Sequence, residues 1–268
     1  MNPPRRIAFG WYGGKFSHLR WLLPLLPACH HYVEPYGGSA AVLLNRPPSP
    51  LETYNDLDGE VANFFRVLRS DRKGLIESIG LTPFSRAEFL DALSEPTATL
   101  SKRERARRFF VRARQARTGL AQTATQGRWA NCRTTSRSGM AGAVSRWLGS
   151  IDTLPEIAER LLRVQIESRP ALEVIRRYDS SGTLFYCDPP YLASTRGDRN
   201  SYRFEMSEQN HTDLARALRG CQGRVAISGY DCELMDRLYR GWRRIDGPRK
   251  TAHSVKRPRQ ESLWTNYA

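Results

Sequence analysis

Acidic residues are scarce in this 268-residue sequence: 27 aspartates and glutamates stand against 42 lysines and arginines, for a formal net charge of +15. That imbalance is extreme for an enzyme of small metabolites and points to a polyanionic partner, since Lys and Arg gain affinity by releasing counterions from phosphates. Nearly all of the cations are arginine, which suits bidentate phosphate and guanine contacts. Arginine drift in a GC-rich genome explains the choice of Arg over Lys, but not the excess of one sign. Paired cysteines are missing too. Cys29, Cys132, Cys187, Cys221 and Cys232 are scattered, which excludes a disulfide framework and fits a reducing cytosol. The five histidines lack ligand spacing. No apolar run approaches ~18 residues, so no membrane-spanning helix is expected. Trp21 to Leu26 is too short for a signal-peptide core and is broken by Pro24. The expectation is a cytoplasmic protein.

What is present is organised around Thr183-Leu184-Phe185-Tyr186-Cys187-Asp188-Pro189-Pro190-Tyr191. Ser180-Ser181-Gly182 reads as a turn, and the apolar run after it as a buried strand. Proline has no ladder donor and a fixed φ, so the strand cannot continue through Pro189 and Pro190. The first proline also pushes Asp188 toward extended backbone. Asp188 is therefore expected at the carboxyl end of a strand, where open α/β sheets bind ligands. Cys187 reads as a buried strand residue and not a nucleophile.

A carboxylate, a proline carbonyl and an aromatic face three residues on can together hold a flat, amino-bearing ring. The two oxygens accept the two N–H hydrogens of an exocyclic amine while the ring stacks on Tyr191. The lone pair of adenine N6 is delocalised and poorly nucleophilic. Accepting both hydrogens favours a pyramidal nitrogen able to attack a methyl group, a case of positioned groups stabilising developing charge. The plain structural alternative is a strand ending in a rigid turn, with Asp188 as a helix cap.

Upstream, Ile7 to Lys15 ends in Trp11-Tyr12-Gly13-Gly14-Lys15. Paired glycines allow close backbone approach and anion-cradling amides, although Gly-Gly-Lys alone is more often a turn. Ser17 to Leu26 reads as a short helix in which Pro24 begins a new turn. A brief strand at Tyr32-Val33 ends at Glu34-Pro35. Tyr36-Gly37-Gly38-Ser39 then turns into a helix that Ser39 is placed to cap, a strand–turn–helix arrangement of the nucleotide-binding kind. The GxGxxG dinucleotide spacing is absent. A second strand, Leu51 to Tyr54, ends in Asn55-Asp56-Leu57-Asp58. Asp56, about twenty residues past the glycine turn, is placed to accept from ribose hydroxyls. Asp58 is read as the N-cap of a helix from Gly59 to Arg69.

From about Lys73 to Ile151 the composition changes. Helical patterns cover Ser85 to Leu93 and Ser101 to Arg117, followed by a polar stretch from Thr118 to Met140. The second helix carries Arg103, Arg105, Arg107, Arg108, Arg112, Arg114 and Arg117 against one acid, Glu104. A merely solvated face would mix signs, so Arg105, Arg108 and Arg112, on one stripe, are expected to face phosphates. Beyond lie a helix at Leu154 to Leu162, a strand at Arg163 to Glu167 and a helix at Pro170 to Tyr178. After Tyr191, Leu192 to Phe204 reads as a polar flap and Ser207 to Leu218 as an amphipathic helix. Gly223 to Ser228 is a buried strand whose end, Ser228-Gly229-Tyr230-Asp231, is expected to wall a base pocket with an exposed hydroxyl and ring. Glu261 to Tyr267 forms a final strand.

Asp-Pro-Pro-Tyr after an apolar strand resembles the amino-methyltransferase signature, and the order of the pieces resembles the Dam-like, D12-class adenine-N6 DNA methyltransferases. Those enzymes also carry aromatic-x-Gly-Gly-Lys, Glu-Pro-aromatic before a glycine turn, an acid after the next strand, a basic insert, and a closing Glu-x-x-Trp-x-Asn. Gly37-Gly38-Ser39 departs slightly from their usual x-Gly-x-Gly. The resemblance implies an α/β, Rossmann-like, S-adenosylmethionine-dependent methyltransferase domain over residues 1–72 and 152–268. Its sheet should be mostly parallel with an antiparallel addition near the end, and residues 73–151 should form an inserted helical target-recognition domain.

By the same resemblance the cofactor is S-adenosylmethionine, held by Trp11, Tyr12, Gly13, Gly14, Lys15, Glu34, Pro35, Tyr36, Gly37, Gly38, Ser39, Asp56, Gln165, Ile166 and Asp188. Asp188, Pro189 and Tyr191 become the catalytic set acting on an adenine flipped out of double-stranded DNA. Arg105, Arg108, Arg112, Arg117 and Arg128 become DNA contacts. Trp129, beside Arg128, has two readings: part of a loop that orders on DNA, or a small core anchor. The sulfonium already activates the methyl group, so the reaction requires no metal, and no obligatory protein partner is implied. Cytosine N4, an RNA adenine and a protein glutamine are the other amines for such a pocket, and Asp188 stands where glutamine enzymes usually carry Asn. A DNA-binding module with a decayed site is the non-enzymatic alternative, against which every motif position is chemically intact.

Overall fold

Buried runs and the residues that interrupt them set the architecture. The computed structural model describes residues 6–94, 99–117, 121, 124–196, 203–248 and 260–268. The strands are β1 (His31–Glu34), β2 (Leu51–Asn55), β3 (Ser136–Arg137), β4 (Met140–Ala141), β5 (Gln165–Glu167), β6 (Thr183–Cys187), β7 (Arg224–Tyr230), β8 (Arg243–Asp246) and β9 (Glu261–Thr265). The chain divides into two compact units. One comprises residues 17–37, 46–57 and 167–268, and the other residues 1–16, 38–45 and 58–166. The unit that holds residues 73–151 thus also takes in the Gly-Gly-Lys segment, the helix Ala41–Asn45 and the helix Gly59–Ser70.

The first unit is built on a seven-stranded sheet of order β5-β2-β1-β6-β7-β9-β8, with the unit boundary passing through β5. Pairs β1/β2, β1/β6 and β6/β7 are parallel, whereas β9 is antiparallel to both β7 and β8. Strands β1 and β6 are buried at every residue, as expected for parallel strands covered on both faces. Val33, Phe185, Cys187, Val225 and Ile227 pack with Val174 and Ile175 of the helix Ala171–Tyr178 and with Leu214 and Leu218 of the helix Glu208–Arg219. The order of strands reverses between β1 and β6: β2 lies on one side of β1, and β6 and β7 on the other. Such a switch point opens a crevice beyond the carboxyl ends of the strands.

The second unit is helical, and aromatic rings fill its centre. Phe64 and Phe110 stack at 5.5 Å, and Phe9 meets Phe109 edge-on at 5.1 Å. Side-chain caps start three of its helices: Asp58 accepts from the Glu60 amide, Ser85 from that of Ala87, and Ser101 from that of Glu104. The expected helices accordingly begin at Arg86 and Lys102, one residue after each serine. A helix at Arg72–Gly80, a helix at Gly142–Asp152 and a hairpin of β3 and β4 appear where the sequence pattern marked no element. Ser17 to Leu26 is no single helix but three short turns, the last opening with Pro24 near its start. Parts of the 118–140 stretch and of the expected flap at 192–204 lie outside the described residues. Among the described residues no helix is long and apolar enough to cross a membrane.

An N-cap aspartate satisfies an orphan helix amide, and its loss typically costs about 1 kcal/mol. Asp58→Ala should therefore lower stability by about that amount, read as a lower midpoint in thermal unfolding. An unchanged midpoint would show that the cap is dispensable.

Candidate active site

Asp188 follows β6 directly, and Glu34 is the last residue of β1, so two acids stand at the carboxyl ends of the strands flanking the switch point. Glu34 is buried and accepts from the Tyr32 hydroxyl at 2.8 Å. Asp188 is half-buried, next to the fully buried Cys187. Burial raises the Cys187 thiol well above the ordinary thiol range, so it is an inert strand residue and not a nucleophile. Pro189 is buried.

Tyr191 is also buried, 6% exposed. Its ring meets Tyr230 edge-on at 4.7 Å, and its hydroxyl donates to Glu261 at 3.1 Å. Ser228 is not the exposed hydroxyl that the sequence suggests. It is fully buried and hydrogen-bonded to the Tyr186 hydroxyl at 2.9 Å. The strand runs two residues further than expected, so Ser228 lies within β7 rather than at its end.

The glycine turn after β1 is shaped by close contacts. A Cβ at Gly37 would lie 2.1 Å from the Tyr54 ring, so only glycine fits without displacing it. The Gly37 amide donates to the Asn55 carbonyl at 2.8 Å. The buried Asn55 side chain donates to the carbonyls of Pro35 and Arg169 and accepts from the Arg169 amide. Asn55 thereby fixes both the turn and the backbone just before Asp56. The sequence offered only its place at a strand end as a signal. Tyr36 turns toward the core cluster that contains Cys187. Asp56 is half-buried directly after β2.

In the helical unit Gly38 has φ +49°, and a Cβ there would lie 2.7 Å from Trp11 Nε1. Trp11 thus rests against the second glycine of the turn. The Gly14 amide closes a turn onto the Trp11 carbonyl at 3.0 Å, with Gly13 at φ 70°. The buried Lys15 donates to the Gly13 carbonyl at 2.8 Å, and Tyr12 is half-buried beside it. Arg114 is half-buried and donates to the carbonyls of Ile7 and Ala8, anchoring the segment that leads to Trp11. Burial brings its guanidinium down to about 10. The helix after the turn begins at Ala41, so Ala40 (φ 54°) and not Ser39 precedes it. At five residues this helix is too short for a macrodipole to define an anion site. Gln165 is exposed and Ile166 half-buried in β5.

The basic helix is less bare than its sequence suggests. Arg105 forks onto Glu60, Arg108 donates to Glu104 and the Asp91 carbonyl, Arg112 to the Ala92 carbonyl, and Arg117 to Asn131. The opposing acids and carbonyls come largely from neighbouring helices. Arg128 is half-buried. Trp129 packs on Phe84 at 5.6 Å with the Arg86 guanidinium 4.9 Å over its ring, the geometry of a local anchor. Among the described residues no cluster of His, Cys, Asp and Glu could hold a metal ion.

Comparison with known families identifies the chain as a methyltransferase and specifies which. The chain matches the D12 class N6 adenine-specific DNA methyltransferases over residues 11–253 and belongs to that family; it is an enzyme of adenine-N6 DNA methylation. It is 26% identical over 252 residues to the DNA adenine methylases of a classical Ogawa and an El Tor Inaba strain of Vibrio cholerae serotype O1. Each alignment spans 88% of this chain and 86% of the relative. Among solved structures it is similar to the rRNA methyltransferase aviRa from Streptomyces viridochromogenes, with 14% identity, 96% and 85% of the two chains covered, and a TM-score of 0.38.

His211 was not marked by the sequence, yet it reaches the motif. It is 2% exposed, on the first turn of the helix Glu208–Arg219, and Nε2 donates to the Pro190 carbonyl at 3.1 Å. Burial lowers its pKa from the ordinary 6.5. Above pH 6.5 the residue is neutral whether the chain is folded or not, and its contribution to stability is constant. As the pH falls below that value the unfolded chain takes up a proton that the folded one resists, so stability is lost. Comparing thermal midpoints from about pH 7.5 to about pH 5, the loss should be steeper for the native chain than for His211→Gln. Parallel curves would show that His211 is not buried as a neutral ring.

Proposed function

We propose that this enzyme transfers a methyl group from S-adenosylmethionine to adenine N6 of a base flipped out of double-stranded DNA, with Asp188, Pro189 and Tyr191 at the reacting centre. The observation that carries the reading is the position of Asp188 at the carboxyl end of β6, beside the reversal of strand order between β1 and β6. The residues fit the cofactor: glycines stand where a Cβ would strike Tyr54 or Trp11, and an acid follows β2. Asp56 is assigned to the ribose hydroxyls. Glu34, Pro35, Tyr36 and Gly37 of the sheet unit are its further contacts.

The cofactor supplies a methyl group on a positively charged sulfur. The chain supplies the geometry of the acceptor. The Asp188 carboxylate and the Pro189 carbonyl accept the two N6 hydrogens, and the charge on Asp188 favours the pyramidal nitrogen. The Pro190 carbonyl already accepts from His211, which leaves Pro189 as the proline acceptor assigned here. Tyr191 stacks on the base. For DNA contact, residues 118–151 hold Arg128, Arg133, Arg137 and Arg146 and no acid. Arg133 and Arg137 are exposed, so this stretch is proposed as the phosphate-facing surface together with Arg105, Arg108, Arg112 and Arg117.

Removing a group that stabilises developing charge costs about 10²- to 10³-fold in rate. Asp188→Ala should lose at least that in single-turnover methylation while the thermal midpoint and DNA affinity hold. Asp188→Asn should be severely impaired, since the amide lacks the charge, and Tyr191→Ala should be severely impaired for want of the ring. A fully active, normally folded Asp188→Ala would sink the catalytic assignment. For the cofactor, Asp56→Ala should weaken S-adenosylmethionine binding roughly tenfold or more, the worth of a charge-assisted hydrogen bond. Calorimetry giving an unchanged affinity would refute the ribose role.

A further inference from the structure

The carboxylate of Glu261 has no part in the scheme above, yet it is buried at the motif. It is 6% exposed, and burying a carboxylate costs several kcal/mol unless partners offset it. Its two oxygens are both engaged. Oε1 accepts from the Tyr191 hydroxyl at 3.1 Å, and Oε2 lies 3.1 Å from His18 Nε2, whose side chain is itself 11% exposed. Strand pairing explains how a residue so distant in sequence arrives there. Glu261 opens β9 and pairs with Tyr230, the last residue of β7. Tyr230 in turn sets its ring against Tyr191. One pair of strand residues thus holds Tyr191 at two points, through its ring and through its hydroxyl.

We propose that Glu261 is a positioning residue: held by His18, it fixes the Tyr191 hydroxyl and so sets the plane of the ring on which the target adenine stacks. A phenol that only stacked would need no partner so costly to bury. Fixing a ring before the base arrives lowers the ordering cost at binding and keeps the amine aligned with its acceptors, where a misplacement of about 1 Å can cost 10²-fold. This rests on the reading of Tyr191 as the stacking ring.

The test is a double-mutant cycle on single-turnover methylation of a duplex whose site has been mapped by sequencing methylated plasmid. Glu261→Ala and Tyr191→Phe should each slow transfer about five- to tenfold, and the double variant should be no slower than Tyr191→Phe alone. Both single variants should also shift alike the fluorescence of 2-aminopurine placed at the target adenine, which a merely structural role would leave unmoved. Glu261→Gln keeps an acceptor for the hydroxyl and avoids the cavity left by alanine. It should transfer within about twofold of the native rate, and a drop as large as that of Tyr191→Phe overturns the proposal. Losses that multiply in the double variant overturn it too. If Tyr191→Ala methylates at full rate, the stacking reading itself fails and takes this role with it. An impaired Tyr191→Ala combined with multiplying losses refutes Glu261 alone.

Discussion

Proline's missing N–H is the constraint on which this site depends. Strand β6 pairs with β1 on one side and β7 on the other, up to Cys187 opposite Ile227. Pro189 and Pro190 cannot donate to either neighbour, so β6 stops while β7 runs on through Tyr230. On its other edge β7 stays paired with β9 through this overhang, Gly229 opposite Ser262 and Tyr230 opposite Glu261. The space that β6 vacates is where Tyr191 sits, against the ring of Tyr230 and the carboxylate of Glu261. An acid at a strand end and an aromatic ring held at its edge and hydroxyl follow one interruption of a ladder.

The reversal of strand order gives that interruption its consequence. β2 lies to one side of β1, and β6 to the other, the arrangement in which open α/β sheets bind ligands beyond the carboxyl ends of their strands. Asn55 ties the end of β2 to the Pro35 carbonyl and to Arg169, so the glycine turn and Asp56 share one rigid support. Glycine is required at the turn for a plain reason: the Tyr54 ring fills the space where a side chain at Gly37 would go.

Much of this was legible in the sequence because it is punctuated locally. Short strands ending at Glu34-Pro35, Asn55-Asp56 and Asp188-Pro189 mark β1, β2 and β6, and Ser85, Ser101, Ser207 and Asp58 mark helix starts by their own hydrogen bonds. What stayed hidden depends on partners far along the chain. Ser228 looks like a strand-end hydroxyl until Tyr186 is found against it. His211 looks like one polar residue in an amphipathic helix until its ring is placed on the Pro190 carbonyl. The hairpin of β3 and β4 carries two positive-φ residues, Ser138 and Gly139, in a stretch too polar and too short-stranded for period-two alternation to register.

The arginines show the same limit in electrostatic form. Reading one helix, seven arginines against a single acid predict a bare phosphate face. The fold supplies Glu60, Asp71 and Glu88 from other helices, together with the carbonyls of Asp91 and Ala92. Arginine serves there because its planar fork reaches carboxylates and main-chain oxygens at once. These bonds cannot remove the net charge of +15, since 27 acids are too few for 42 cations. They redistribute it. Cations held by acids contribute little field beyond a Debye length of about 10 Å, whereas residues 118–151 hold four arginines and no acid to offset them. Arg133 and Arg137, on and beside the hairpin of β3 and β4, are exposed, whereas the arginines of the basic helix are tied to acids and carbonyls of its neighbours.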